Sequence, residues 1–433
     1  MKKIVLVLSL LVICTALLFA GGQGEQPAAE AETEAGAAEE KAQLRFSSWL
    51  NMEGASKATI EHMVAEYQKE YPNVDVELIG IPFEQTQQQT MVAVAGGNPP
   101  DLIHLVAQWG PPLGSMGAIV DLHQYYSEDE LDDMVQAAYQ DGLFEDKLIT
   151  VPWQLGAIAV MGWKSVLQDA GLEAEIPDTW DAYKDAVAAS SKPGEGVYGF
   201  GARTSKSTNS AFWFFPVMWG HGGEFEDEDG NIVFNNPGTV DALEWYKEIG
   251  EQEYTPVGMG VREVRNLMGQ GKVGFIFDGP WMKGIFRSIT GEGEAADDMY
   301  VTGVFPKAPD GNRYGIGNNH VFAVSEQSKV KQEAVDMIKF FTQDETISKY
   351  YYDKNGAVPT YKSLLDDPLY QNDPFARAII ASAEIADSVP SKNPNFTAAL
   401  EFVATAMQDA LLGGDPAAAA KTAENSIKTI YKQ

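Results

Sequence analysis

Trp49, Trp109, Trp153 and Trp281 stand beside strand ends or turn residues, with short polar side chains close by in the chain. An indole face buries the C–H groups of a pyranose, and Asp, Asn, Gln or His hydrogen-bond its belt of hydroxyls. Asn51, Gln108, Asp278, Asn319 and His320 supply such partners. Such a constellation can hold a sugar ring. Trp213 and Trp219 lie in the apolar run from Phe212 to Trp219; at least one of the pair belongs to the core, and Trp213 is the ligand-side candidate. Trp180 and Trp245 lie in helical patterns, where packing explains them better.

Competing chemistries lack their spacing. Asp227-Glu228-Asp229-Gly230-Asn231 opens like a calcium loop, but no glutamate follows at the required distance, and Asp-Gly is a hairpin turn. Tyr350, Tyr351 and Tyr352 resemble the adjacent tyrosines of iron binders, yet they end a helix, and only one face of it can meet a ligand. Tyr314-Gly315-Ile316-Gly317 lacks the third glycine and the following helix of a dinucleotide site. The histidines (His62, His104, His123, His221, His320) have no metal-ligand spacing. No cofactor and no metal are expected. Carboxylates are so abundant that a glycosidase pair fits almost anywhere, and spacing singles none out. A secreted glycoside hydrolase therefore stays as a rival reading.

Positioning these groups falls to alternating strands and helices. Leu44 and Phe46 alternate with polar residues, as do Val74, Val76 and Leu78; between them Ile60, Met63, Val64 and Tyr67 recur at helical spacing. A second helix from Gln85 to Val94 stops at Gly96-Gly97, and Leu102–Val106 follows as a buried strand. Strands alternating with helices predict a parallel sheet covered on both faces, with ligands beyond the carboxyl ends of the strands. Beyond Val151-Pro152-Trp153 a second α/β block begins, with strands at Ala157–Trp163 and Val273–Phe277 and a helix capped at Asp178-Thr179. An amphipathic helix carries Val330, Ala334, Ile338 and Phe341, and the tail from Thr397 to Tyr431 is helical with a break near Gly413-Gly414.

The 433 residues suffice for two or three domains, and 45% hydrophobic content supports a packed core. Lys2 and Lys3 precede an unbroken apolar run from Ile4 to Ala20, the pattern of a secretory signal peptide cleaved after Ala20, with an uncleaved anchor as the alternative. Cys14 sits inside that run behind Ile13 rather than at its end, which argues against lipidation; without the leader the chain has no cysteine. Residues 21–42 hold six Glu and no aromatic residue, a composition that predicts a disordered acidic linker. The remaining 56 acidic and 28 basic residues leave the body at −28, which excludes nucleic acid as a partner and weakly favours neutral or cationic cargo.

Three segments carry a resemblance to the extracellular solute-binding proteins of ABC importers, carbohydrate-binding branch. Ala95-Gly96-Gly97-Asn98-Pro99-Pro100-Asp101-Leu102-Ile103 resembles the family's Gly-x-x-Pro-Asp segment. Gly271–Trp281, ending in Asp278-Gly279-Pro280-Trp281, resembles its strand-to-tryptophan segment, and Asp353–Thr360 its Asn-Gly turn after a helix. The resemblance spans roughly 43–433. It implies an α/β, two-lobed periplasmic-binding-protein (Venus-flytrap) fold with a ligand cleft between the lobes. One lobe is expected at 43–153 plus 321–366 and the other at 157–318 plus 370–433. It further implies a monomer outside the cytoplasm that closes by a hinge on a carbohydrate ligand and docks on membrane permease subunits. A polyamine or peptide on the same fold is the alternative cargo.

Overall fold

The computed structural model describes residues 41–431 apart from 388, 392 and 394. The leader expected at 1–20, Cys14 and nearly all of the acidic linker lie outside the described residues. The linker was expected to run through residue 42, but Ala42 already pairs with Val74 in a ladder.

Two mixed sheets organise the chain. The first takes β1 (Ala42–Ser48), β2 (Val74–Gly80), β3 (Leu102–Val106), β4 (Val151–Gln154) and β9 (His320–Val324), in the order β2-β1-β3-β9-β4. The second takes β5 (Ala159–Trp163), β6 (Tyr198–Phe200), β7 (Val273–Asp278) and β8 (Tyr300–Gly303), in the order β8-β5-β7-β6. β1 runs parallel to β2 and β3, as the alternation of strand and helix requires. The purely parallel sheet expected from that alternation is not formed, because β9 lies antiparallel to both β3 and β4. That strand returns from the second sheet, so its direction is set by where the chain left rather than by a local crossover.

Each sheet nucleates its own core. β3 and β9 are buried along their whole length, as strands covered on both faces must be. Phe46, Phe322, Phe341 and Trp153 pack on the first sheet; Tyr183, Phe200, Trp245, Phe275 and Phe277 pack on the second. The helix Trp180–Ser190 starts where Thr179 offers its hydroxyl to the Ala182 N–H, satisfying an otherwise unpaired donor. Trp180 and Trp245 sit in this core, as their helical spacing predicts. Asp229-Gly230 turns a short antiparallel link between Glu226 and Ile232, a hairpin rather than a calcium loop.

Candidate functional site

β1 delivers its last residues to the rim of the first sheet. Ser48 caps the following turn by accepting the Leu50 N–H at 3.1 Å and holds the His104 Nδ1 at 2.8 Å. His104 in turn stacks on Trp49 with ring centroids 3.7 Å apart, while Phe83 meets the same indole edge-on at 5.3 Å. Trp49 is thus fixed from behind and from the side.

β7 performs the equivalent task on the second sheet. It ends at Asp278, and the Gly279-Pro280 turn brings Trp281 back towards the carboxylate. A Cβ at position 279 would stand 2.3 Å from the six-membered ring of Trp281, so any residue but glycine there would push the indole aside. Asp278 is 1% exposed and accepts from the Arg203 Nη2 (2.9 Å), the Arg265 Nε and Nη2 (2.8 Å each), the Gly279 N–H (2.9 Å) and the Trp281 indole N–H (2.6 Å). A carboxylate offers about four lone-pair sites. Asp278 therefore has none left for a ligand hydroxyl, contrary to the role its sequence position suggested. Burial pushes its pKa up, but the two guanidiniums outweigh burial and hold it below its ordinary value.

Between these rims lies a cavity of about 540 Å³, within the roughly 300–1,000 Å³ usual for small-molecule sites. Trp49, Glu53, Phe83 and Glu84 line it from the first lobe; Arg203, Trp213, Arg262, Arg265 and Trp281 line it from the second. His320, at the start of β9, stacks on Trp281 at 4.9 Å and 16° and so bridges the two. Burial, with Arg265 nearby, pushes His320 down to about 3, so this imidazole is neutral at ordinary pH. Burial raises the Glu53 pKa against the pull of Arg265 and Arg262. Burial likewise pushes Arg203 down to about 9, still cationic at neutral pH, and its guanidinium lies 3.3 Å from the Trp213 ring centroid.

Of the ten residues singled out from sequence, Trp49, Trp213, Trp281 and His320 line the cavity. The others do not. Trp153 is 3% exposed and stacks between Phe322 at 4.4 Å and Tyr351 at 4.8 Å, inside the first core. Its place at a strand end misled, because Val151–Gln154 is buried along its whole length. Trp109 packs behind the wall against Phe83, at 5.2 Å, and Trp49, at 6.1 Å. Asn51 donates to the Ile79 carbonyl at 3.1 Å. Gln108 donates to Asn318 at 3.1 Å, and Asn319 accepts from the Gly156 N–H and donates to Asp141. Gln108 and Asn319 thus spend these amide groups on the protein itself rather than on the cavity.

Sequence reasoning missed Glu53, Phe83, Arg203, Asn209, Arg265 and Asn266. One signal was available: Arg262, Arg265 and Asn266 fall at i, i+3 and i+4 on the helix Val261–Gly269, a spacing that gathers them on one face. Arg203 left none, being 75 residues from the carboxylate it serves. Among the described residues no group of three His, Cys, Asp or Glu is placed to hold a metal ion. What remains is a site with aromatic surfaces, free amides and charges of both signs, able to bind polar molecules through many hydrogen bonds.

Comparison with known proteins gives the family and the fold. A family model described as bacterial extracellular solute-binding protein matches residues 62–378. The galactooligosaccharide-binding protein of Bacillus subtilis is 25% identical over 396 residues, covering 86% of this chain and 87% of that protein. Among solved structures, a solute-binding protein from Thermotoga lettingae bound with α-D-tagatose has a TM-score of 0.81 at 19% identity, covering 90% of this chain and all of that one. The GacH receptor of Streptomyces glaucescens, solved unliganded and with acarbose, has a TM-score of 0.80 at 20% identity, covering 91% and 99%.

Proposed function

This chain belongs to the bacterial extracellular solute-binding protein family, and we propose that it captures a neutral sugar or short oligosaccharide and delivers it to an ABC importer. The observation that carries this reading is the opposition of charge across the cavity: Glu53 and Glu84 on one side, Arg262 and Arg265 on the other. A hydroxyl both donates and accepts, so one sugar hydroxyl satisfies a carboxylate and a guanidinium at once. A polyamine meets three arginines and an acidic sugar meets two glutamates. A net-neutral polyhydroxylated ligand has neither conflict, and the part-exposed indole of Trp281 suits its C–H surfaces. No bond of the ligand is broken; the relatives named above are binding proteins.

One lobe comprises 43–153 plus 321–366 and the other 157–318 plus 370–433, closing as a hinge around the ligand to form what the permease recognises. The protein works as a monomer outside the cytoplasm, exported by residues 1–20. Intact-mass analysis of the secreted protein checks this: a chain starting at Gly21 is expected, and a lipid mass on Cys14 refutes it.

A thermal-shift screen over mono- and oligosaccharides, polyamines, peptides and amino acids tests the ligand class. A sugar at 100 times its dissociation constant stabilises by about 2.7 kcal/mol. Stabilisation by polyamines or peptides alone overturns the proposal, and turnover of chromogenic glycosides would establish the hydrolase instead.

A further inference from the structure

We propose that Asp278 is the positioning residue of the second wall, a buried carboxylate that sets both of that wall's tryptophans without touching the ligand. The inference rests on the sugar-binding reading of the cavity but concerns a different property, the organisation of the empty site. Trp281 is held directly, its indole N–H 2.6 Å from Oδ1. Trp213 is held at one remove: Arg203 donates to Oδ2 at 2.9 Å and lays its guanidinium 3.3 Å from the Trp213 ring centroid. Arg265, which also lines the cavity, grips the same carboxylate through two hydrogen bonds of 2.8 Å. Two aromatic rings and two guanidiniums therefore take their places from one side chain.

The chemistry explains why this position needs a carboxylate. The buried Arg203 and the part-buried Arg265 demand a negative charge, and a charge-assisted pair with Arg265 fixes a plane as well as a distance. Asparagine at 278 would offer one oxygen where two are used and turn an NH2 group towards a guanidinium. An indole has one polar atom; bonding it selects one ring orientation among those that a Gly-Pro turn allows. Order of this kind lowers the cost of binding, because the rings need not be immobilised when the ligand arrives.

The experiment is run first on the full chain without any sugar. The Trp281 indole N–H, assigned from the spectrum of Trp281→Phe, should exchange at least about tenfold more slowly than that of a free indole. In Asp278→Asn, whose single oxygen the indole must share with both guanidiniums, that protection should fall, and in Asp278→Ala it should vanish; in both, acrylamide should quench Trp213 more readily. Arg203→Lys keeps the charge but loses the planar fork; it should loosen Trp213 and leave the Trp281 signal in place. Fast exchange in the wild type, or Arg203→Lys leaving Trp213 quenching unchanged, overturns the proposal even if Asp278→Asn fails to fold. Titration with maltotriose and tagatose then reads function: Asp278→Asn should weaken binding about tenfold or more, and Trp281→Phe should cost nothing further in that background. Multiplicative losses would overturn the coupling. If neither sugar binds, the carbohydrate reading fails for those probes while the exchange measurements still decide the role of Asp278.

Discussion

Two side chains of similar appearance in the sequence have opposite consequences when altered. Trp153 sits between Phe322 and Tyr351, so Trp153→Ala should cost about 3–5 kcal/mol of folding stability, measured by denaturant unfolding, with little change in the affinity of the protein that remains folded. Equal stability in the variant would return Trp153 to the list of ligand residues. Glu53 behaves differently. Its pKa is raised by burial, so the folded chain holds this proton more tightly than the unfolded one, and Glu53 costs stability as pH rises past the ordinary glutamate range. Glu53→Gln should melt at or above the wild type at neutral pH, with the difference fading towards pH 4, while sugar affinity falls because an acceptor is lost. A lower melting temperature at neutral pH would contradict this. Residue type announced the aromatic surfaces, but not which face of a strand they occupy. Asp278 shows the limit most clearly: an acid at a strand end resembles a hydroxyl acceptor until its partners, 13 and 75 residues away, are known.

At the scale of elements the sequence was more informative, because strand alternation, helical spacing and Gly-Pro punctuation are local properties. β1, β2, β3, β5 and β7 fall where hydrophobic periodicity predicts strands, while the short or polar-flanked β4, β6, β8 and β9 gave no such pattern. The direction of β9 was not legible, since nothing in His320–Val324 records which way its neighbours run. Packing between elements is equally non-local. The helix Glu345–Asn355 ends at Gly356, whose φ of 75° is left-handed and whose N–H bonds to the Tyr352 carbonyl at 2.7 Å. A Cβ there would collide with the Pro280 carbonyl, one residue from Trp281. Gly356→Ala should therefore destabilise by about 1–3 kcal/mol and also weaken sugar binding by displacing that turn. Calorimetry together with urea titration checks both effects; a loss of stability with affinity untouched would show that the helix end does not support the site.

The whole molecule adds charge and motion. A body at −28 repels itself, and added salt screens that repulsion, so the melting temperature should rise between low and physiological ionic strength. Closure of two lobes should shrink the radius of gyration in solution scattering when a binding sugar is added; an unchanged profile at confirmed saturation would leave a rigid pocket. Family membership was legible from segments scattered along the chain, whereas the cargo was not, because it depends on a handful of side chains brought together from across the sequence. The strand order carries one more consequence, for the time axis of the protein's life. β9 lies inside the first sheet, between β3 and the edge strand β4, yet about two hundred residues separate it from β3. During synthesis β3 and β4 emerge early and must wait, each lacking its neighbour, until the chain has been made past Val324. The first sheet cannot close before then, and such distant pairing is slow. A chain that stays unfinished for so long is one that can still be threaded through a membrane.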